Sequence, residues 1–214
     1  MDFFEKTEKA GIVPVVVLED ASDAVPTAKA LLDGGIGFME ITLRTSCALD
    51  AIREVAEKVP EMCVGAGTVL TPDNAKDAIA SGATFIVSPG FCPEVVDICK
   101  ESGIPVIPGC VTPTEITMAV NRGLDVVKFF PANVYGGKSA IKGLASVFRS
   151  VRFLPTGGIN TENIEEYITE PYIIAAGGSW VCPSKMISGG DFAGITAKAR
   201  EVVDKIRSVK EANS

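Results

Sequence analysis

Residues 38–69 read FMEITLRTSCALDAIREVAEKVPEMCVGAGTV. FMEITLR is a short apolar run in which Glu40, Thr42 and Arg44 share one face by the strand period of two. ALDAIREVAEKV carries apolar residues at helical spacing, and MCVGAGTV is a second short run. Strand, helix, strand is the signature of a parallel β-α unit. The same alternation extends in both directions, with further runs IVPVVVL from Ile12, FIVSP from Phe85, VIPG from Val106, VVKFFP from Val126, RFLPTGG from Arg152 and IIAAGGS from Ile173. Helical segments such as DAVPTAKALLDGG, DNAKDAIASG and PEVVDICKESG lie between them, several closed by glycine. Eight runs whose starts fall 20 to 26 residues apart, followed by DFAGITAKAREVVDKIRSVKEA, predict a compact (β/α)8 TIM barrel of the α/β class. A doubly wound open sheet is the alternative, but no GxGxxG follows the first strand. No linker or composition break divides the chain, so residues 1–214 read as one domain.

Composition narrows the function. The chain has 214 residues, 47% of them apolar, enough for one well-filled core. A net charge of −7 without a basic cluster argues against nucleic acid or an anionic membrane as partner. The start MDFFEKTEKAGIVPVVVLED has no basic region, and its apolar run is too short to span a bilayer, which reads as a cytoplasmic protein. Its six cysteines are scattered, as in a reducing compartment. There is no histidine, which removes Ser-His-Asp and Cys-His catalysis and the usual zinc sites. Acid-base chemistry falls to carboxylates, lysines, tyrosines, thiols or water.

In a barrel of this kind the chemistry sits at the C-terminal ends of the strands. Lys128 lies inside the run VVKFFP and shares a face with Phe130. If that face is inward, Lys128 and Glu40 both enter a narrow lumen. A lysine that snorkels out, or a purely structural ion pair with Glu40, is one reading. The other is a nucleophile, because burial among Val and Phe favours the uncharged amine, which attacks carbonyls to form imines, with Glu40 as the base. Arg44, nearer the mouth, suits a carboxylate or phosphate, or a surface salt bridge. Thr68 follows GAG, whose small residues admit a ligand close to the backbone or serve a turn. Gly157-Gly158 and Gly177-Gly178-Ser179 follow strands seven and eight, where barrels commonly bind phosphate.

The set MEITLRT, VGAGTV, SPG, KFFPA, PTGGI and GGSW, in this order and spacing, resembles the 2-keto-3-deoxy-6-phosphogluconate (KDPG) and 4-hydroxy-2-oxoglutarate (KHG) aldolase family, from about Val13 through the closing helix. The resemblance implies a class I aldolase without metal or cofactor, releasing pyruvate and glyceraldehyde 3-phosphate. It implies Lys128 as the Schiff-base lysine and Glu40 as the proton-transferring carboxylate. Arg44 and Thr68 would hold the pyruvate carboxylate, with Pro89 and Phe130 lining the pocket. Thr156 would sit beside the aldehyde-derived carbon, and Gly157, Gly158 and Ser179 would cradle phosphate. A homotrimer is the family's usual assembly. The galactonate isomer of the substrate, or another phosphate-binding barrel such as a sugar-phosphate epimerase, remains the alternative reading.

Overall fold

The computed structural model describes residues 2–212. In chain order the elements are α1 (Phe3–Ala10), β1 (Ile12–Val16), α2 (Ala24–Asp33), β2 (Phe38–Thr42), α3 (Ala48–Lys58), β3 (Cys63–Gly67), α4 (Pro72–Ala80), β4 (Ile86–Val87) and α5 (Pro93–Glu101). They continue as β5 (Val106–Ile107), α6 (Pro113–Val120), β6 (Val126–Phe129), α7 (Gly137–Val147), β7 (Arg152–Pro155), α8 (Ile164–Ile168), β8 (Ala176–Gly178), α9 (Ser184–Ser188) and α10 (Phe192–Ala212). All eight expected strands form.

β5, β4, β3, β2, β1 and β8 make one parallel sheet in that order, and β6 pairs with β7. Bridges Gly109 to Lys128 on one side and Phe153 to Ile173 and Thr156 to Gly177 on the other join the two pieces, so the order returns to its start and the barrel closes. The ladder is thinnest at β4 and β5, two residues each. Pro89 and Pro108 follow these strands and bring no N–H to extend them. The run from Ile173 divides its pairing: the Ile174 N–H donates to Phe153 on β7 at 3.0 Å, and the Ala176 N–H donates to Gly11 beside β1 at 3.0 Å.

Strand parity separates two apolar layers. Odd and even positions of β2 split cleanly, with Met39 and Ile41 in the cluster shared with the helices and Phe38 in the lumen. The helices turn one stripe inward, as in α3, where Ala48, Ala51, Ile52 and Val55 are buried at i, i+3, i+4, i+7 spacing. The lumen cluster holds Val13, Phe38, Phe85, Val87, Ile107, Val126, Leu154, Ile174 and Ala175, and Phe3 and Phe4 pack onto it.

Those two phenylalanines belong to α1, a helix that strand counting alone does not reveal. Asp2 and Glu5 cap it reciprocally, each side chain accepting the other residue's N–H at 2.8 Å. Gly11, at φ 70°, ends it in the left-handed region. The helix then lays Phe3 against Phe85 and Phe38, with ring centroids 5.1 and 5.9 Å apart. The N-terminal end of the lumen is thereby stoppered with aromatic rings.

Phe3→Ala should therefore lower stability by roughly 1–3 kcal/mol, seen as a drop of several degrees in the thermal midpoint, while kcat stays near wild type because the candidate residues at the C-terminal strand ends lie above this layer. An unchanged midpoint would show that α1 does not seal the barrel.

Candidate active site

Lys128 is held from both sides. Its N–H donates to Pro108 and its carbonyl accepts from Cys110, each at 2.9 Å, and on the other flank it is in register with Leu154 of β7. Val126 lies in the lumen cluster, so two residues on, Lys128 also points inward; the same parity carries Phe38 to Glu40. The lysine Nζ sits 3.3 Å from Glu40 Oε1 and 5.3 Å from the centre of the Phe130 ring. Lys128 is 6% exposed and Glu40 1%, so the lysine does not escape to water.

At 3.3 Å the attraction is worth roughly 5 kcal/mol at an effective dielectric near 20. Burying each ion costs several kcal/mol, so the intact pair contributes little net stability. Removing one partner is the expensive event, at about 3–5 kcal/mol.

The glycines of β3 make room for this pair. A Cβ on Gly67 would lie 2.1 Å from Glu40 Oε1, and one on Gly65 would lie 2.5 Å from the Phe85 ring. The space in GAG is thus filled by the protein's own carboxylate and phenyl ring. Thr68 follows with φ 59°, a left-handed conformation unusual for a β-branched residue. Its hydroxyl accepts from Arg44 Nε at 3.3 Å. Thr42, between Glu40 and Arg44 on the inward face, is fully buried. Glu40 Oε2, Thr42 Oγ1 and Thr156 Oγ1 are buried without a protein hydrogen-bond partner, at a cost of about 1–3 kcal/mol for each such group.

One cavity of about 440 Å³ collects most of the strand-end residues: Arg44, Lys128, Phe130, Thr156, Gly157, Gly158 and Ser179. Gly157 and Gly158 have φ of 99° and 73°, a turn that side chains rarely allow. Glu40 stands behind Lys128, and Thr68 joins through Arg44. Pro89 is not in this wall; its carbonyl packs against Gly109, where a Cβ would come within 2.1 Å. A larger cavity of about 580 Å³ lies at the stoppered end against α1 and α10, with Lys6, Lys9, Arg207 and Lys210 in its wall. Helix C-termini converge there, and Lys210 donates to the carbonyls of Glu8 and Lys9, so these cations meet the negative ends of helices. Among the described residues no group of three or more Cys, Asp or Glu is placed to hold a metal ion.

The family model for KDPG and KHG aldolase matches residues 4–198. The chain belongs to this aldolase family. It is 46% identical over 200 residues to a 2-dehydro-3-deoxy-phosphogluconate aldolase of Treponema pallidum, covering 94% of this chain and 95% of that protein. It is 44% identical over 193 residues to the KHG/KDPG aldolase of Escherichia coli K12, covering 90% and 91%. Among solved structures, the KDPG aldolase of Legionella pneumophila, with pyruvate captured at low pH as a covalent carbinolamine, superposes with a TM-score of 0.91 at 38% identity, covering 94% of this chain and 98% of that one.

Within this family fold, the cavity wall holds residues that strand-end reasoning left unassigned. Val15 and Val17 come from β1 and its extension, and Trp180 and Ser184 follow β8. Trp180 packs against Gly178, where a Cβ would meet its ring at 1.8 Å, and its Nε1 donates to Thr161 at 3.1 Å. The chain's one tryptophan beside a glycine pair was the available signal.

Gly67→Ala should displace the Glu40 carboxylate from Lys128 and lower kcat on the order of 10²-fold, the scale of losing a general base, with overpacking costing about 1–3 kcal/mol. Steady-state kinetics on the folded variant test this; wild-type turnover would show that Glu40 has room to spare.

Proposed function

We propose that this aldolase reversibly cleaves 2-keto-3-deoxy-6-phosphogluconate to pyruvate and glyceraldehyde 3-phosphate through an imine at Lys128, and also accepts 4-hydroxy-2-oxoglutarate. The observation that carries the reading is the buried Lys128–Glu40 contact of 3.3 Å behind a cavity that also contains the glycine turn.

The reaction starts when Glu40 takes a proton from Lys128 and the free amine attacks the C2 carbonyl. Glu40 returns its proton to the C2 hydroxyl, water leaves and the protonated imine remains. Glu40 then removes the C4 hydroxyl proton; the C3–C4 bond breaks and its electron pair enters the imine, giving an enamine. The aldehyde phosphate departs. Glu40 protonates C3, water adds to C2, and collapse of the carbinolamine releases pyruvate and the amine.

Arg44 and Thr68 supply the cation and hydroxyl for the pyruvate carboxylate, with Phe130 as an apolar wall and Pro89 set further back. Thr156, whose hydroxyl is buried without a protein partner, is suited to a substrate oxygen on the aldehyde side. Gly157, Gly158 and Ser179 offer backbone and hydroxyl donors to phosphate. The capture of pyruvate as a carbinolamine in the Legionella protein supports the scheme, which requires that species.

The proposal takes residues 1–214 as one domain acting in the cytoplasm as a homotrimer. Six free cysteines agree with a reducing compartment, and no described helix is long and apolar enough to cross a membrane. Leu70 after β3, Val134 and Tyr135 after β6, and Val147 in α7 are more than half exposed, apolar surface that contact between copies would cover. Light scattering should give three chain masses; a monomer mass refutes the trimer.

Pyruvate with borohydride should leave a pyruvate-derived mass on Lys128, and label elsewhere or none would defeat the imine. Glu40→Gln should lower turnover by about 10²-fold or more. Of the gluconate, galactonate and hydroxyoxoglutarate substrates, the first should have the highest kcat/KM; a reversed order would overturn the preference while leaving the imine standing.

A further inference from the structure

Three of the buried oxygens that lack a protein partner, Glu40 Oε2, Thr42 Oγ1 and Thr156 Oγ1, belong to residues of the upper lumen. The proposed mechanism employs the first and the third. Thr42 has no part in it, yet it is fully buried, and β2 parity turns it to the same side as Glu40. Its register partner on β3 is Gly67, so no neighbouring side chain from that strand covers it, and the nearest occupant of the glycine's space is the Glu40 carboxylate. A threonine hydroxyl both donates and accepts, and a buried one without a partner is costly to keep. Valine has the same shape and would fill the position without that cost.

Residues two apart on a strand have Cα atoms about 6.6 Å from one another. Neither Thr42 Oγ1 nor Glu40 Oε2 is open to bulk water, but two hydrogen bonds of about 2.8 Å hold their end atoms roughly 5 Å apart, so a single water released at C2 spans the gap between them. Arg44, one step nearer the mouth on the same face, already offers charge to a substrate carboxylate, which leaves Thr42 beside the proton-transfer group.

We propose that Thr42 is a positioning residue for the water lost and regained at C2, an assignment that rests on the Lys128 and Glu40 roles above. In dehydration the Glu40 carboxyl protonates the carbinolamine hydroxyl, the C2–O bond breaks as the nitrogen lone pair forms the C=N bond, and the departing water is received by the Thr42 hydroxyl. In release Thr42 orients that water toward C2. Its oxygen bonds to C2, the C=N π pair returns to nitrogen, and the proton goes to Glu40 Oε2. Water is the sole co-reactant.

The test uses pyruvate with the full-length enzyme, following two exchanges: ¹⁸O from solvent into the C2 carbonyl, which requires addition and loss of water, and deuterium from solvent into the methyl group, which requires only enamine formation once the imine exists. Thr42→Val should slow ¹⁸O exchange about tenfold or more, raise the ratio of deuterium to ¹⁸O exchange, and lower kcat without raising KM; Thr42→Ser should restore most of the ratio. If Thr42→Val does not fold, Thr42→Ala carries the same comparison. An unchanged ratio, a parallel fall in both exchanges, or a rise in KM alone overturns the assignment. Borohydride separates the two layers of argument: an adduct at Lys128 with an unchanged ratio removes Thr42 only, whereas no wild-type adduct removes the imine and the water assignment together.

Discussion

An amine and a carboxylate 3.3 Å apart with almost no access to solvent are the constraint around which this barrel is arranged. Neither charge would be tolerable alone, and together they nearly cancel their own desolvation. The arrangement therefore needs rigid backbone on both sides. Lys128 is fixed by hydrogen bonds to the segment after β5 and by pairing with β7, while β2 is paired on both edges, with β1 and β3. Closing the sheet into a cylinder is what allows strands so distant in sequence to face each other across a short gap.

Missing side chains matter as much as those present. β3 turns Gly65 and Gly67 inward and so contributes no bulk to the upper lumen; Phe85 and Glu40 occupy that volume instead. The same device recurs on β8, where a Cβ on Gly177 would lie 2.3 Å from Thr156 Oγ1. A carboxylate and a hydroxyl are placed by omission on the neighbouring strand; the Thr156 hydroxyl belongs to the cavity wall at the C-terminal mouth, and the Glu40 carboxylate stands behind Lys128. Conformational strain gathers at the same end, in the positive φ of Thr68 beside Arg44.

Much of the architecture was legible because each strand is a short apolar run bounded by glycine, proline or a capped helix, and because period-two spacing assigns inward and outward faces without coordinates. That parity is why Glu40, Lys128 and Arg44 could be named together. Three features were not legible. The role of α1 depends on Phe3 meeting Phe38 and Phe85, contacts that no local pattern encodes. The β3 glycines looked like an approach for ligand or a turn, since the groups that fill their space come from other strands. Pro89 is a pocket residue only by the family resemblance, and no local pattern tells that the backbone there turns its carbonyl onto Gly109, beside rather than in the cavity wall.

The aromatic stopper has a kinetic corollary. With Phe3 and Phe4 packed beneath the lumen, traffic runs through the mouth alone. On the proposed chemistry the three-carbon keto fragment is tethered at depth to Lys128, while its phosphorylated partner lies toward the rim beside Gly157 and Gly158. A passage of this shape imposes a queue: the outer fragment must exit before the inner one can be hydrolysed free, and in the synthetic direction the keto acid must enter first.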